Sequence, residues 1–198
     1  MKLIIASNNQ HKISEIKEIL GDKFEDILSI KEAGVDHETI EDGKTFLENA
    51  LKKAREIAEI TGQAALADDS GLCVNALGGA PGVFSARFAG ESDPKLRDGA
   101  NNALLLNKLD GQEDRSAYFV CSVALVYPDG KEITSEGFMH GCIIENPKGN
   151  GGFGYDPIFI ADEFPGMTLA DISEEEKNDI SHRGKALRAM AQWLAENK

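Results

Sequence analysis

Basic residues are scarce in this chain. Lysine and arginine together number 21 against 34 acids in 198 residues, and the formal net charge is −13 at pH 7. Such a surface argues against duplex DNA or RNA as a ligand, because nucleic-acid binding draws on clustered Lys and Arg against phosphates. It leaves room for one small phosphate ligand, since a local cationic pocket can hold an anion that a divalent ion has partly neutralised. A second absence is any apolar run of about 18 residues, so no membrane span is expected. The N-terminal residues also show no charged–apolar–small export pattern. Cysteine is sparse: Cys73, Cys121 and Cys142 cannot all pair, show no metal-ligand spacing, and each lies in a strand-like apolar context. They read as reduced core residues of a cytoplasmic protein. Repeats, low-complexity segments and linkers are missing too, and the chain is expected to form one compact unit.

What is present is an alternation of strands and helices. Lys2 to Ala6 is β-rich, and the polar residues Ser7, Asn8, Asn9, Gln10, His11 and Lys12 lead into an amphipathic helix with Ile13, Ile16, Ile19 and Leu20 on one face and Gly21 as its stop. A helix N-terminus fed by small polar residues suits a phosphate. Lys12 sits in the first turn, where the dipole disfavours a cation, and so points to an anionic partner; a surface lysine beside a plain capping loop is the alternative. After a strand at 27–30, an acidic segment with Glu38, Glu41 and Asp42 precedes a long helix through Ile60, opened by a Thr45–Glu48 capping box and containing Lys53. Dipole complementarity alone explains acids there equally well.

Ala64 to Ala67 reads as a buried strand ending in Asp68, Asp69, Ser70 and Gly71, with a second strand from Leu72 to Leu77. Paired carboxylates at a strand's carboxyl end can hold a hard cation or act as a general base. The same four residues are also ordinary turn chemistry. The sequel, LGGAPGVFSARFAG, is too apolar for a solvated connector. A helix follows, capped by Asp93 with Pro94 at its first position. Ala117–Tyr127 and Lys131–Ile144 flank Pro128-Asp129-Gly130 as an antiparallel hairpin, which predicts a mixed rather than purely parallel sheet.

Glycines 149, 151, 152 and 154 surround Phe153, Tyr155 and Asp156 ahead of a strand from Pro157. Dense glycine lets a ligand approach backbone, and aromatics among them offer a face for stacking a base; a packed loop filled by its own aromatics is the alternative. Ser173 and Glu176 form a capping box for a short helix containing Lys177, and Ser181, His182, Arg183 and Gly184 are expected to precede the last helix, whose apolar face includes Leu187, Met190, Ala191 and Leu194.

The set SNNQHK, Glu41, ADDSGL, LGGAPGVFSARFAG, GGFGYDPIF and KNDISHRGKAL, in this order, resembles the inosine triphosphate pyrophosphatases, which remove non-standard purine nucleotides such as ITP, dITP and XTP. The resemblance covers residues 2 to 195. It implies a single domain over residues 1–198, an α/β fold with a long mixed sheet flanked by helices and two lobes with the site in the cleft. It also implies a homodimer, and hydrolysis to monophosphate and pyrophosphate. By the same resemblance, Ser7 to Lys12 hold the triphosphate, with Lys12 and Lys53 as charge clamps; Glu41 and Asp69 hold Mg²⁺; Asp69 is also the general base and Ser70 touches substrate. Phe153 stacks on the purine with Gly154, Tyr155 and Asp156 around it, and Lys177, His182 and Arg183 close over base and phosphates. The family's first loop usually reads Thr-Gly-Asn where this chain has Ser7, Asn8 and Asn9; Asn is the side chain best suited to replace a glycine of positive φ. Two competing functions are a purine nucleotide sensor that does not hydrolyse and a pyrophosphatase for modified pyrimidine nucleotides.

Overall fold

Strand β1 (Lys2–Ile5) places three apolar side chains in succession, and all three are buried because the strand has helices on both faces. The computed structural model describes residues 2–197. The element order continues α1 (Gln10–Leu20), β2 (Asp26–Ser29), α2 (Phe46–Thr61), β3 (Ala64–Val74), α3 (Pro94–Lys108), β4 (Ser116–Val126), β5 (Glu132–Ile143), β6 (Phe159–Ala161), α4 (Glu174–Ile180) and α5 (His182–Glu196). Six strands form one sheet in the order β2-β1-β3-β4-β5-β6. The β1–β2 and β1–β3 pairs are parallel and the β5–β6 pair is antiparallel, so the sheet is mixed, as the hairpin predicts. In the hairpin turn the Gly130 N–H donates to the Tyr127 carbonyl and the Tyr127 N–H to the Lys131 carbonyl.

The chain divides into two compact units. The first comprises the described residues up to Asp69, Cys121–Gly137, and the chain from Arg183 onward. Its sheet faces are segregated by the two-residue period of the strands. On one face Leu3, Ile5, Ala64 and Leu66 pack with Ile13, Ile16 and Leu20 of α1 and with Ala186, Leu187 and Met190 of α5. On the other, Ile4, Ala65 and Ala67 pack with Ala50, Ala54, Ile57 and Ala58 of α2. Alanine faces alanine across that contact, which lets α2 lie close to β3.

The second unit comprises Ser70–Val120 and Phe138–His182. Leu105 and Leu109 of α3 pack with Leu72, Val74, Met139, Ile143, Ile158 and Phe159 around a core that also takes in Tyr155. Asp93 caps α3 by accepting from the Lys95 N–H, with Pro94 at the first helical position as read from sequence. Ser173 and Glu176 make the full reciprocal capping box of α4.

Four sequence expectations are corrected. The acidic pair does not end a strand: β3 runs unbroken through Asp68, Asp69, Ser70 and Gly71 to Val74, and the Asp68 and Asp69 carboxylates meet partners on α1, α2 and α5 instead of folding back on a turn. Conversely, the strand expected to reach Leu77 stops at Val74 and gives way to a 3-10 turn over Asn75–Leu77. His182 and Arg183 lie in the first turn of α5 rather than before it. Cys142 is exposed, unlike the buried Cys73 and Cys121, since it sits on the outward-facing register of β5. Among the described residues no helix is long and apolar enough to cross a membrane.

Candidate active site

Polar groups in the first unit gather at β3, and strand alternation decides which element each one meets. Asp68 follows Leu66 onto the face covered by α1 and α5. There its Oδ2 accepts from the Lys12 ammonium at 2.8 Å and from Arg183 Nε at 3.2 Å. Arg183 also reaches Glu15 of α1 at 3.4 Å. The Asp68 side chain is 2% exposed. Burial by itself raises its pKa, but the charges of Lys12, Arg183 and Lys53 and the Lys12 hydrogen bond outweigh that and hold the carboxyl below the usual range. The same burial, helped by the Asp68 charge, pushes the neighbouring Cys121 thiol up, so Cys121 stays protonated.

Asp69 follows Ala67 onto the opposite face, toward α2. Its Oδ2 accepts from Asn49 Nδ2 at 2.9 Å. Its pKa is raised: burial is the main cause, with Glu41 adding to it, while Lys53, the Asn49 hydrogen bond and Lys12 work against the rise. Asn49 and Lys53 are four residues apart on α2 and therefore share a face. Lys53 donates to Glu41 Oε1 at 2.5 Å and to the Asp68 backbone carbonyl at 2.8 Å. The neighbouring Asp42 pairs with Lys52.

The residue at the head of α1 that caps it is Asn9, whose Oδ1 accepts from the N–H groups of His11 and Lys12 at 3.0 and 3.4 Å, while Ser7 Oγ accepts from the Asn9 N–H. Two donors expected to be open to phosphate are thus held by Asn9. Lys12 already pairs with an anion of the chain itself, Asp68. Asn8, Asn9, Gln10 and His11 are exposed. Asn8 does not adopt positive φ, nor does any described non-glycine residue, so the substitution for glycine imposes no left-handed strain.

In the second unit the glycine-rich segment presents Phe153, which is 70% exposed. Lys177 places its ammonium 4.2 Å from the Phe153 ring centroid and pairs with Asp156. The buried Asp156 also accepts from the Phe153 N–H at 2.8 Å. Gly152 has φ 73°, and a Cβ there would stand 2.3 Å from Asp156 Oδ2, so no other residue fits without moving that carboxylate. Gly154 is gripped at both ends of its backbone from α3: its N–H donates to Asp98 at 2.8 Å and its carbonyl accepts from Asn102 at 3.0 Å. Tyr155 differs from expectation. Its ring is buried and its hydroxyl donates to the Ser85 carbonyl, so it fills the core, and of the two aromatics at 153 and 155 Phe153 is the exposed one. The His182 ring stacks on Phe119 with centroids 5.1 Å apart. Ser70 follows Asp69 directly in β3 and is partly exposed.

The structure therefore brings Lys12, Lys53, Glu41, Asp69 and Arg183 together in the first unit, and Phe153, Asp156 and Lys177 in the second. Sequence reasoning missed the part played by Asp68, and missed Asn49, Asp98 and Asn102 altogether. Asn49 and Asp98 sit on helices among other polar residues, where nothing in a single sequence separates a buried polar side chain from a solvated one.

The chain matches the Ham1 family over residues 3–193. It is 52% identical over 196 residues to a dITP/XTP pyrophosphatase of Desulforamulus reducens, covering 98% of this chain and 96% of that protein. It is 49% identical over 195 residues to one of Geobacter sulfurreducens, with 98% and 96% coverage. Among solved structures, the Staphylococcus aureus Ham1 protein superposes with a TM-score of 0.91 at 41% identity, covering 100% of both chains. A HAM1 protein from Coxiella burnetii gives 0.90 at 40% identity and 99% of both.

Proposed function

Because the chain belongs to the Ham1 family, we propose that it hydrolyses the non-standard purine nucleotides ITP, dITP and XTP to the monophosphate and pyrophosphate. The observation that carries this reading is half-identity, over nearly the whole chain, with relatives named dITP/XTP pyrophosphatases.

The residues fit the chemistry. Asp69 takes a proton from the attacking water. The new bond forms between that water oxygen and the α-phosphorus, and the bond to the bridging oxygen between the α and β phosphates breaks. Lys12 and Lys53 take up charge on the departing pyrophosphate. Phe153 supplies the stacking face for the purine, with Lys177, His182 and Arg183 as donors to base and phosphates and Ser70 as a further substrate contact.

Glu41 and Asp69 are the residues that would hold Mg²⁺. Lys53, bonded to Glu41 Oε1 and to the Asp68 carbonyl, and Asn49, bonded to the Gly43 N–H and to Asp69, hold the two segments beside each other, and two carboxylates are an oxygen donor set that suits a hard divalent cation. When bound, the ion stabilises charge on the phosphate oxygens. The family resemblance also supports a homodimer, and the unpaired cysteines support a cytoplasmic location.

The test is a pyrophosphate-release screen with ITP, dITP, XTP, GTP and ATP, with and without Mg²⁺. Release from the first three that depends on Mg²⁺ is expected, with GTP and ATP poor. Release of orthophosphate instead, or binding without turnover, would refute the assignment.

A further inference from the structure

Asn49 is 1% exposed, in the first turn of α2. A primary amide has one acceptor oxygen and two donor hydrogens, and here both ends are used on different elements. Its Oδ1 accepts from the Gly43 N–H at 2.8 Å, and its Nδ2 donates to Asp69 Oδ2 at 2.9 Å. Gly43 lies two residues after Glu41, so this one side chain ties the segment carrying Glu41 to the carboxylate on β3.

A second observation indicates that the link is built and not incidental. A Cβ on Gly43 would stand 2.6 Å from Asn49 Oδ1, 2.9 Å from Glu48 Cβ and 3.1 Å from the Asn49 backbone nitrogen. Any residue larger than glycine at position 43 would push the loop off Asn49. Glu48 steadies the same loop by accepting from the Lys44 N–H at 2.6 Å. The small residues Ala50 and Ala54 bury the adjoining face of α2, so the amide is held by a packed helix rather than a mobile stem.

We infer that Asn49 is a positioning residue for the reaction: its amide orients the Asp69 carboxylate for proton transfer while fixing the Glu41 loop against it. This inference rests on Asp69 being the proton acceptor of the reaction proposed above. Asn49 engages Asp69 at Oδ2, which restricts rotation of the carboxylate.

The test is a double-mutant cycle. Asn49→Ala, Asp69→Asn and the double variant are compared with the wild type by steady-state pyrophosphate release from ITP, each rate normalised to folded protein. If Asn49 acts through Asp69, Asn49→Ala lowers kcat by about 10²-fold, the scale expected of a misplaced catalytic group, with KM for ITP little changed. In the Asp69→Asn background it lowers kcat by less than about threefold, because groups that act as a unit are not additive. Asn49→Asp keeps the acceptor for Gly43 but sets a second carboxylate against Asp69, and it should fall in kcat as far as Asn49→Ala. If Asn49→Asp fails to fold, the cycle with Asn49→Ala decides alone. Full additivity in the cycle, or an unchanged kcat in Asn49→Ala, would overturn the inference. A wild type that releases no pyrophosphate from ITP, dITP or XTP would instead overturn the proposed reaction.

Discussion

Asp68 and Asp69 are consecutive residues that face opposite sides of β3, the first 2.8 Å from the Lys12 ammonium and the second 2.9 Å from the Asn49 amide. Alternation along an extended strand sends adjacent side chains to opposite faces. The two carboxylates thereby acquire opposite electrostatics: Asp68 lies between two cations and its pKa is depressed, whereas Asp69 is half-buried and desolvated, with the Glu41 charge acting on it, and its pKa is raised. Two neighbouring acids are thus divided between a carboxylate held ionised by cations and one whose protonation is favoured.

Asp69→Asn should fold like the wild type and lose about 10²–10⁴ of kcat, the usual contribution of a positioned general base. The amide keeps the shape of the side chain and its acceptor for Asn49. Circular dichroism together with pyrophosphate release at saturating Mg²⁺ checks this. A variant that keeps more than about a tenth of wild-type kcat would show that Asp69 is not the base.

Lys12→Ala and Lys53→Ala should both weaken ITP binding far more than inosine binding, since each removes a charged hydrogen bond to phosphate worth about 1.5–3 kcal/mol. Their stabilities should differ. Lys12 pairs with a buried carboxylate, and breaking such a pair approaches about 3 kcal/mol, tempered here because Arg183 remains beside Asp68. Lys53 pairs with Glu41, whose side chain is 34% exposed, so its loss should cost less. Urea denaturation and binding calorimetry separate the two effects. Equal losses for ITP and inosine would refute the phosphate role.

Phe153→Ala should leave stability nearly unchanged, because the ring is 70% exposed. It should weaken ITP and inosine alike by about 1–3 kcal/mol, the value of one base stacked on an aromatic ring. Calorimetric titration with both ligands provides the check, and an unaltered inosine affinity would exclude base stacking on Phe153.

Acid should destabilise the protein partly through Asp68. A carboxylate with a depressed folded-state pKa stabilises the fold above its unfolded value of about 3.9. That contribution is lost as pH falls from there through the folded-state value. Asp68→Asn, which has no such proton to take up, should be less stable near neutrality but lose less on acidification below about pH 4. Urea midpoints of both proteins without metal, from about pH 7 to about pH 3, measure the difference. Parallel acid limbs for the two would contradict the role of Asp68.

Sequence pattern located the elements well where local chemistry marks them. Asp93 with Pro94, Ser173 with Glu176, and the Pro128-Asp129-Gly130 turn all occupy the positions that their side chains predict. Thr45 caps α2, but Glu48 accepts from the Lys44 N–H rather than from Thr45, so that capping box is displaced by one residue. Pattern failed at Asp68–Gly71, where four turn-forming residues lie inside a strand. Local propensity cannot include the Lys12, Arg183 and Asn49 groups that meet the Asp68 and Asp69 carboxylates from elements up to 115 residues away.

The sequence by itself determined that the sheet is mixed and that the motifs resemble a pyrophosphatase family. Those conclusions need only residue type, spacing and order. Tertiary structure alone decided that Lys12 answers to Asp68, that Tyr155 is core while Phe153 is an open face, and that Asn49 joins Gly43 to Asp69. Each of these depends on burial and on partners remote in the chain, and the packing of helices on the two faces of β3 brings together groups that no periodicity in the sequence connects.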